Sequence, residues 1–341
     1  MGLIGMDLDS AIRLPRGLGA DSPRSLFSLC AQIMATKDRV DLDASELTYI
    51  DPLGMATLRA LLEGVLETRR VCIHFLPKNL TSYLARMDFF KDLDIEGVDL
   101  TGIGNRQDRS GSLLEITKVT EHHHAEMIAS KLASALTGRL TQSAPDAPAN
   151  EATGRNEFDS YRAPIEYALK ELLENSLTHA RREGCANAAV WVACQYYPKL
   201  NLVRMAIVDN GCGILATLQR HPQLAEKTHL RAIEAALKPR ISCNRGAMAA
   251  VFGVENQGIG LTTTAEIARV AGGGILLASG NAVLETRPGK QIELDTEVWR
   301  GVSIGFFCDR RLLPQVSVSA LLPEDPANAA EVDLDDMLNF R

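Results

Sequence analysis

Short apolar runs and helix-period segments take turns along this chain, and that alternation leaves few folds open. Residues 39–43 (Arg-Val-Asp-Leu-Asp) switch between polar and apolar, as a half-buried strand does. From Pro52 the stretch PLGMATLRALLEGVLETRR carries Leu53, Thr57, Leu58, Leu61, Leu62 and Leu66 at helical spacing. Pro sits in its first turn and Arg69–Arg70 in its last. The β-branched and aromatic run VCIHFLP at 71–77 predicts a buried strand, and Leu80 to Met87 predicts another helix. Strands alternating with helices imply an α/β domain around a central sheet.

Beyond residue 110 the pattern resumes with a strand at Leu113–Val119 and a helix over 121–140. Residues 141–157, TQSAPDAPANEATGRNE, have no periodicity and read as a linker or exposed loop. A long helix over about 158–181 follows, with Ile165, Leu169, Leu172, Ser176 and Ala180 along one face. Strands are expected at 187–196, 200–208, 274–286 and 298–308, and helices near 213–219, 226–237 and 261–271. The expected division is an α/β domain at 1–110, a connecting strand, helix and linker at 111–157, a second domain at 158–312 and an acidic tail at 313–341.

Several function classes are disfavoured at once. The net charge of −7, from 36 basic and 43 acidic side chains, runs against sequence-independent nucleic-acid binding, which needs cations to neutralise phosphates. The local basic candidates are Arg181–Arg182 and Lys238/Arg240/Arg245. The seven cysteines are scattered without a CxxC pair, so they predict neither a disulfide framework nor a zinc site. No apolar run approaches the roughly 20 residues that cross a bilayer. The start, MGLIGMDLDS, lacks a basic segment and does not read as a secretory signal. A cytoplasmic protein without membrane attachment is expected.

Three separated segments carry candidate chemistry. On the long helix, Glu171 and Asn175 are four apart and share one side, where a carboxylate and an amide can hold a water and Mg²⁺ beside a phosphate chain. The apolar run Leu202–Val208 ends in Asp209-Asn210-Gly211-Cys212-Gly213; an acid at a strand end can accept from an exocyclic amine, and the glycines let the backbone turn. Asn256-Gln257-Gly258-Ile259-Gly260-Leu261-Thr262 opens a helix, whose free N–H groups favour phosphate. Each alone is common. No GxxxxGK[ST] occurs, and Gly258-Ile259-Gly260 lacks the third glycine and preceding strand of a dinucleotide turn.

In this order and at these spacings the three resemble the N, G1 and G2 boxes of the GHKL superfamily, over roughly residues 155–310. The resemblance implies a Bergerat α/β sandwich, a mixed sheet with helices on one face, and ATP with Mg²⁺ as ligands. It implies Glu171 as general base, Asn175 as metal ligand and Asp209 as adenine acceptor. Gly211 and Gly213 match the G1 turn. Gly258 and Gly260, with Leu261 and Thr262 behind them, match the phosphate-facing turn. The segment 215–257, centred on Arg240–Ala250, matches the lid. Trp299-Arg300-Gly301-Val302-Ser303 loosely matches the last-strand box. His179 fits the N-S-x-x-H-A form of anti-sigma-type kinases, where nucleotide contact and packing are both open.

The segment Leu47-Thr48-Tyr49-Ile50-Asp51-Pro52-Leu53-Gly54, followed by a helix and a strand, resembles the STAS fold of anti-sigma-factor antagonists over about residues 5–100. Those proteins carry a phosphorylated Ser where this chain has Leu53, and Pro52 precedes it, so neither position has a hydroxyl. The expectation is a Mg²⁺-dependent ATPase or serine/threonine kinase regulated in cis by a STAS-like domain docked near the lid, acting on a regulatory protein partner. The alternative is a non-hydrolysing, ATP-gated interaction module. A homodimer is possible, although a MutL-like clamp is disfavoured without a second transducer domain. His122-His123-His124 reads as an exposed helix start, and Cys212 as a small residue of the turn.

Overall fold

The computed structural model describes residues 11–103, 109, 111–137, 157–238 and 260–316. Gly258, the Arg240–Ala250 segment, most of the 141–157 stretch and the acidic tail beyond Val316 lie outside them; Leu313 and Val316, expected in the tail, are buried. The first unit runs β1 (Ile12–Arg13), β2 (Gly17–Leu18), α1 (Pro23–Ala35), β3 (Val40–Asp43), β4 (Tyr49–Ile50), α2 (Pro52–Leu66), β5 (Val71–His74), α3 (Lys78–Arg86) and β6 (Ile95–Glu96). Strands β1-β3-β5-β6 form a parallel sheet, and β2 and β4 a small parallel pair. Helical crossovers return the chain to the starting edge, which makes successive strands parallel. Asp51 caps α2, its Oδ1 accepting from the Gly54 N–H at 3.0 Å. That helix is apolar nearly all round, and such a helix has to be covered on more than one side.

The second unit runs β7 (Leu113–Val119), α4 (Ala125–Thr137), α5 (Glu157–Ala180), β8 (Val190–Tyr197), β9 (Leu202–Asp209), α6 (Gly213–Leu218), α7 (His229–Ala236), α8 (Gly260–Val270), β10 (Gly274–Gly280), β11 (Ala282–Glu285), β12 (Gln291–Glu293) and β13 (Trp299–Asp309). Seven strands lie in the order β12-β11-β10-β13-β9-β8-β7. The expected mixed sheet is corrected here, because every described pairing in it is antiparallel. The reason is local. β8–β9, β10–β11 and β11–β12 are short hairpins, and β7 reaches β8 through two antiparallel helices. Arg162 of α5 donates to the Ser130 carbonyl in mid-α4 at 3.1 Å, while Arg181, past the end of α5, donates to Thr120, before α4 begins. Two helices return the chain to the end it left, so the next strand runs the opposite way. β7 and α4, expected as a connection, are thus the edge strand of the sheet and a partner of α5.

Both faces of this sheet are buried, which corrects the expectation of helices on one face only. Val190, Val192, Cys194, Val203, Met205 and Ile207 face α4, α5 and α8. Ala189, Trp191, Ala193, Ala206 and Val208 alternate with them and pack against the first unit, chiefly α2. This is why β8 and β9 read as unbroken apolar runs although antiparallel sheets often keep a wet face. Helix α2 is a layer shared by the two sheets.

Polar contacts pin the same interface. Arg204 of β9 donates to Asp51 Oδ2 at 2.6 Å and to both oxygens of Asp21 at 2.7 Å. Thr57 and Ser303 hydroxyls meet at 2.9 Å in full burial, and the Trp191 indole N–H donates to Glu63 at 3.3 Å. The first unit was expected near the lid. Among the described residues it packs on the opposite face of the sheet from α5 and α8, where α2 lies against β8 and β9. No helix of the described residues is long and apolar enough to cross a membrane.

Candidate functional site

Residues on β9 alternate between the two cores, and the alternation puts Asp209 on the side of α5, one step past Val208, which faces α2. Around it lies a cavity of about 110 Å³ walled by α5, the β9–α6 turn, α6, the end of α7, the start of α8 and β13. Asn175, His179, Asp209, Gly213, Gly260 and Leu261 line it. Segments far apart in sequence therefore meet at one place. Glu171 and Gly211 stand just outside the wall. The Gly211 N–H donates to Asp209 Oδ1 at 2.9 Å. The Thr262 side chain is turned elsewhere, its hydroxyl donating to the Leu237 carbonyl at 3.1 Å.

Two glycines are dictated by this geometry. Gly213 has φ +82°, in the left-handed region, and a Cβ there would lie 2.4 Å from the Arg300 carbonyl oxygen. A Cβ on Gly260 would lie 2.7 Å from Asn175 Nδ2 and 3.1 Å from the Glu171 Cβ, so α8 begins against the Glu171–Asn175 side of α5. That contact brings the start of a helix, the positive end of its dipole, beside the amide and the carboxylate.

Asp209 is 3% exposed. Its Oδ1 accepts from Gly211 N–H and, at 3.2 Å, from Val302 N–H. Burial nevertheless pushes its carboxyl up to about 7, the two backbone donors pulling the other way. The sign follows from linkage. A carboxyl whose folded value exceeds its unfolded value favours the fold most below pH 3.8, and that contribution is lost as pH rises to about 7. Above pH 7 the ionised group costs on the order of 4 kcal/mol. His179 is held neutral, pushed down to about 4 by burial and then by Arg182. Burial, with Glu174 nearby, raises the Glu171 carboxyl, and Lys170 opposes the rise. Cys212 is pushed up to about 11, chiefly by burial, and its thiol donates to the His179 carbonyl at 3.3 Å, a packing role.

Other residues of the site gave little or no signal in the sequence. Ser279, within the apolar run of β10, accepts the Ile214 N–H at 3.0 Å and so caps the start of α6. Trp299 donates from its indole to the Asp209 carbonyl at 3.1 Å, and Val302 holds the carboxylate. Both belong to the segment that only loosely matched a motif. Ser303 of that segment points to the opposite face and Thr57. Of the expected basic candidates, Arg181 is engaged by the Ala188 and Thr120 carbonyls. His122–His124 form an exposed turn ahead of α4.

Chemically, the cavity offers a buried acid in Asp209, the Asn175 amide and the start of a helix, with the Glu171 carboxyl just outside its wall. That arrangement suits a ligand with an amine-bearing ring and an anionic tail. No protein-family model matches this chain, and no curated protein matches its sequence.

Proposed function

We propose that this chain is an ATP-binding regulatory protein of the GHKL type. Its second unit is read as a Bergerat-type Mg²⁺-dependent ATPase or serine/threonine kinase domain, and its first as a STAS-like module acting on it in cis. One observation carries the reading: Asn175 and His179 of α5, Asp209 and Gly213 of the β9–α6 turn, and Gly260–Leu261 at the start of α8 converge on a single cavity, with Glu171 just outside its wall. Asp209 uses Oδ1 for backbone donors, which leaves Oδ2 for the exocyclic amine of adenine. The phosphates would lie toward the start of α8. Mg²⁺, held by Asn175 and the phosphates, would offset their charge. Glu171, its carboxyl raised by burial, would orient the attacking water or hydroxyl.

Phosphate transfer to the first unit is not part of this reading. Pro52 and Leu53 lack hydroxyls, and Thr57, the nearby alcohol, is buried against Ser303 on the far face of the sheet. The acceptor is water or a partner protein. Regulation in cis would pass through Trp299, which packs in the core shared with the first unit and bonds the Asp209 carbonyl.

With γ-labelled ATP and Mg²⁺, Glu171→Ala is expected to lower phosphate release about 10²–10⁴-fold while nucleotide binding persists. Unchanged turnover would remove Glu171 from its role. Binding without turnover in the wild type would favour the ATP-gated interaction module. A pH series gives a second expectation. Adenine needs the ionised acceptor, so the ATP dissociation constant should fall up to about tenfold per unit as pH rises toward 7 and level off above it. A flat profile between pH 6 and 8, read by calorimetry, would contradict the assignment of Asp209.

A further inference from the structure

We propose that Cys72, His74 and Asp41, on the outer face of the first unit's parallel sheet, form a binding site for a borderline divalent metal ion of the Zn²⁺ class. The site is independent of the nucleotide cavity. In β3 and β5 the residues Val40, Leu42, Val71 and Ile73 turn inward to the core, so Asp41, Cys72 and His74 share the other face. Asp41 is the register partner of Cys72, and Cys72 in turn is the partner of Glu96 on β6. One row across three strands thus carries a carboxylate, a thiol and a second carboxylate, with the imidazole two residues along. The donor atoms of Asp41, Cys72 and His74 all lie within 4.8 Å of one another.

The two contacts of the imidazole differ in kind. His74 Nε2 lies 2.8 Å from Asp41 Oδ1, a normal hydrogen bond that places the ring proton on Nε2. The lone pair of Nδ1 is then free to coordinate, and Cys72 Sγ stands 3.7 Å from it. Sulfur and nitrogen bound to one tetrahedral zinc, at about 2.3 and 2.0 Å, are themselves roughly 3.5 Å apart. The thiol and the imidazole already stand close to that separation. Asp41 occupies the place of the carboxylate that orients a metal-bound histidine from behind. Cys72 is 3% and His74 9% exposed, so packing fixes both donors. Arg39 lies over this row, paired with Asp41 at 3.0 Å and Glu96 at 3.1 Å and hydrogen-bonded to the Cys72 thiol, so an ion enters as the guanidinium swings aside, which also releases Glu96 as the nearest further carboxylate. Water completes the coordination.

The test is a Co²⁺ titration of the full-length chain under a non-thiol reductant, followed by Zn²⁺ competition. Wild type should show a sulfur-to-cobalt charge-transfer band saturating at one equivalent and erased by Zn²⁺. The thiolate band ignores His122–His124, which can supply only nitrogen. Cys72→Ser should lose the band, and His74→Ala should weaken binding at least tenfold. Asp41→Asn should weaken it about 10–100-fold, as loss of an orienting partner does. A chain with Cys185, Cys212 and Cys243 all changed to Ser should keep the band. Circular dichroism melts establish that each variant is folded. No band in the wild type, a band that survives Cys72→Ser, or binding indifferent to His74→Ala would overturn the proposal.

Discussion

Asp209→Asn is expected to weaken ATP binding about 100-fold while leaving the ligand-free chain at least as stable as wild type at pH 8. The two effects have one cause. Asparagine can keep its oxygen toward the Gly211 and Val302 N–H groups, so the turn survives. Its NH₂ then faces the adenine amine, donor against donor, and leaving such a pair unsatisfied costs about 1–3 kcal/mol on top of the lost charge-assisted bond. In the free protein the substitution removes a carboxylate that burial has raised to about 7 and that opposes folding when ionised. Calorimetric binding and thermal melts at pH 5 and pH 8 read both. The stability of the variant relative to wild type should improve with rising pH. If the variant binds ATP normally, or melts lower at pH 8 than at pH 5 relative to wild type, Asp209 is a structural residue only. Asp209→Ala is the less informative change, because it also strips two buried N–H groups of their acceptor.

Arg204→Ala should produce the largest loss of stability of any single polar substitution at the interface, about 3–5 kcal/mol. Its partner Asp51 is 1% exposed and would be left as a buried charge without its cation. The Arg204 Nε has no acceptor in this structure, so the clamp is itself imperfectly satisfied. Removing one partner is nonetheless far costlier than the clamp's own net contribution. By contrast, Thr57→Val at the Thr57–Ser303 contact should cost about 1 kcal/mol. The chain has two tryptophans, Trp191 and Trp299, and both lie in the core shared by the units. Their emission therefore reports docking directly. Arg204→Ala should shift it to the red at a denaturant concentration where the wild type is unchanged. If emission and far-ultraviolet dichroism move together in both proteins, the units unfold as one and the clamp does not govern docking separately.

Local periodicity carried the elements well. Leu113–Val119 is a strand with the expected limits, and Pro52–Leu66, Glu157–Ala180 and Leu202–Asp209 lie within a few residues of their expected ones. Helix α1 escaped notice; its Ser22 hydroxyl donates back to the Gly17 carbonyl instead of capping the helix, its first turn has no acid and its last turn no base. The run 274–286 read as one strand, but a turn at Gly280–Asn281 splits it into a hairpin. At the site, the motif residues announced themselves because turns and helix starts have local requirements. Ser279 and Trp299 did not, since a serine or a tryptophan in an apolar strand looks the same whether it braces a functional loop or simply fills a core.

By itself the sequence determined where most of the longer strands and helices run, that α2 opens at Pro52, and that an acid followed by two glycines ends β9. These depend on spacing and backbone chemistry within a few residues. Tertiary structure alone decided that every described pairing in the large sheet is antiparallel and that the first unit packs on the face of that sheet opposite α5 and α8. It also decided that Asp209 is raised by burial, and that Cys72, His74 and Asp41 stand together. Periodicity along a chain shows that a face is apolar without saying what covers it. Burial, ion pairing and the pKa of a carboxyl are set by neighbours that arrive from distant parts of the sequence.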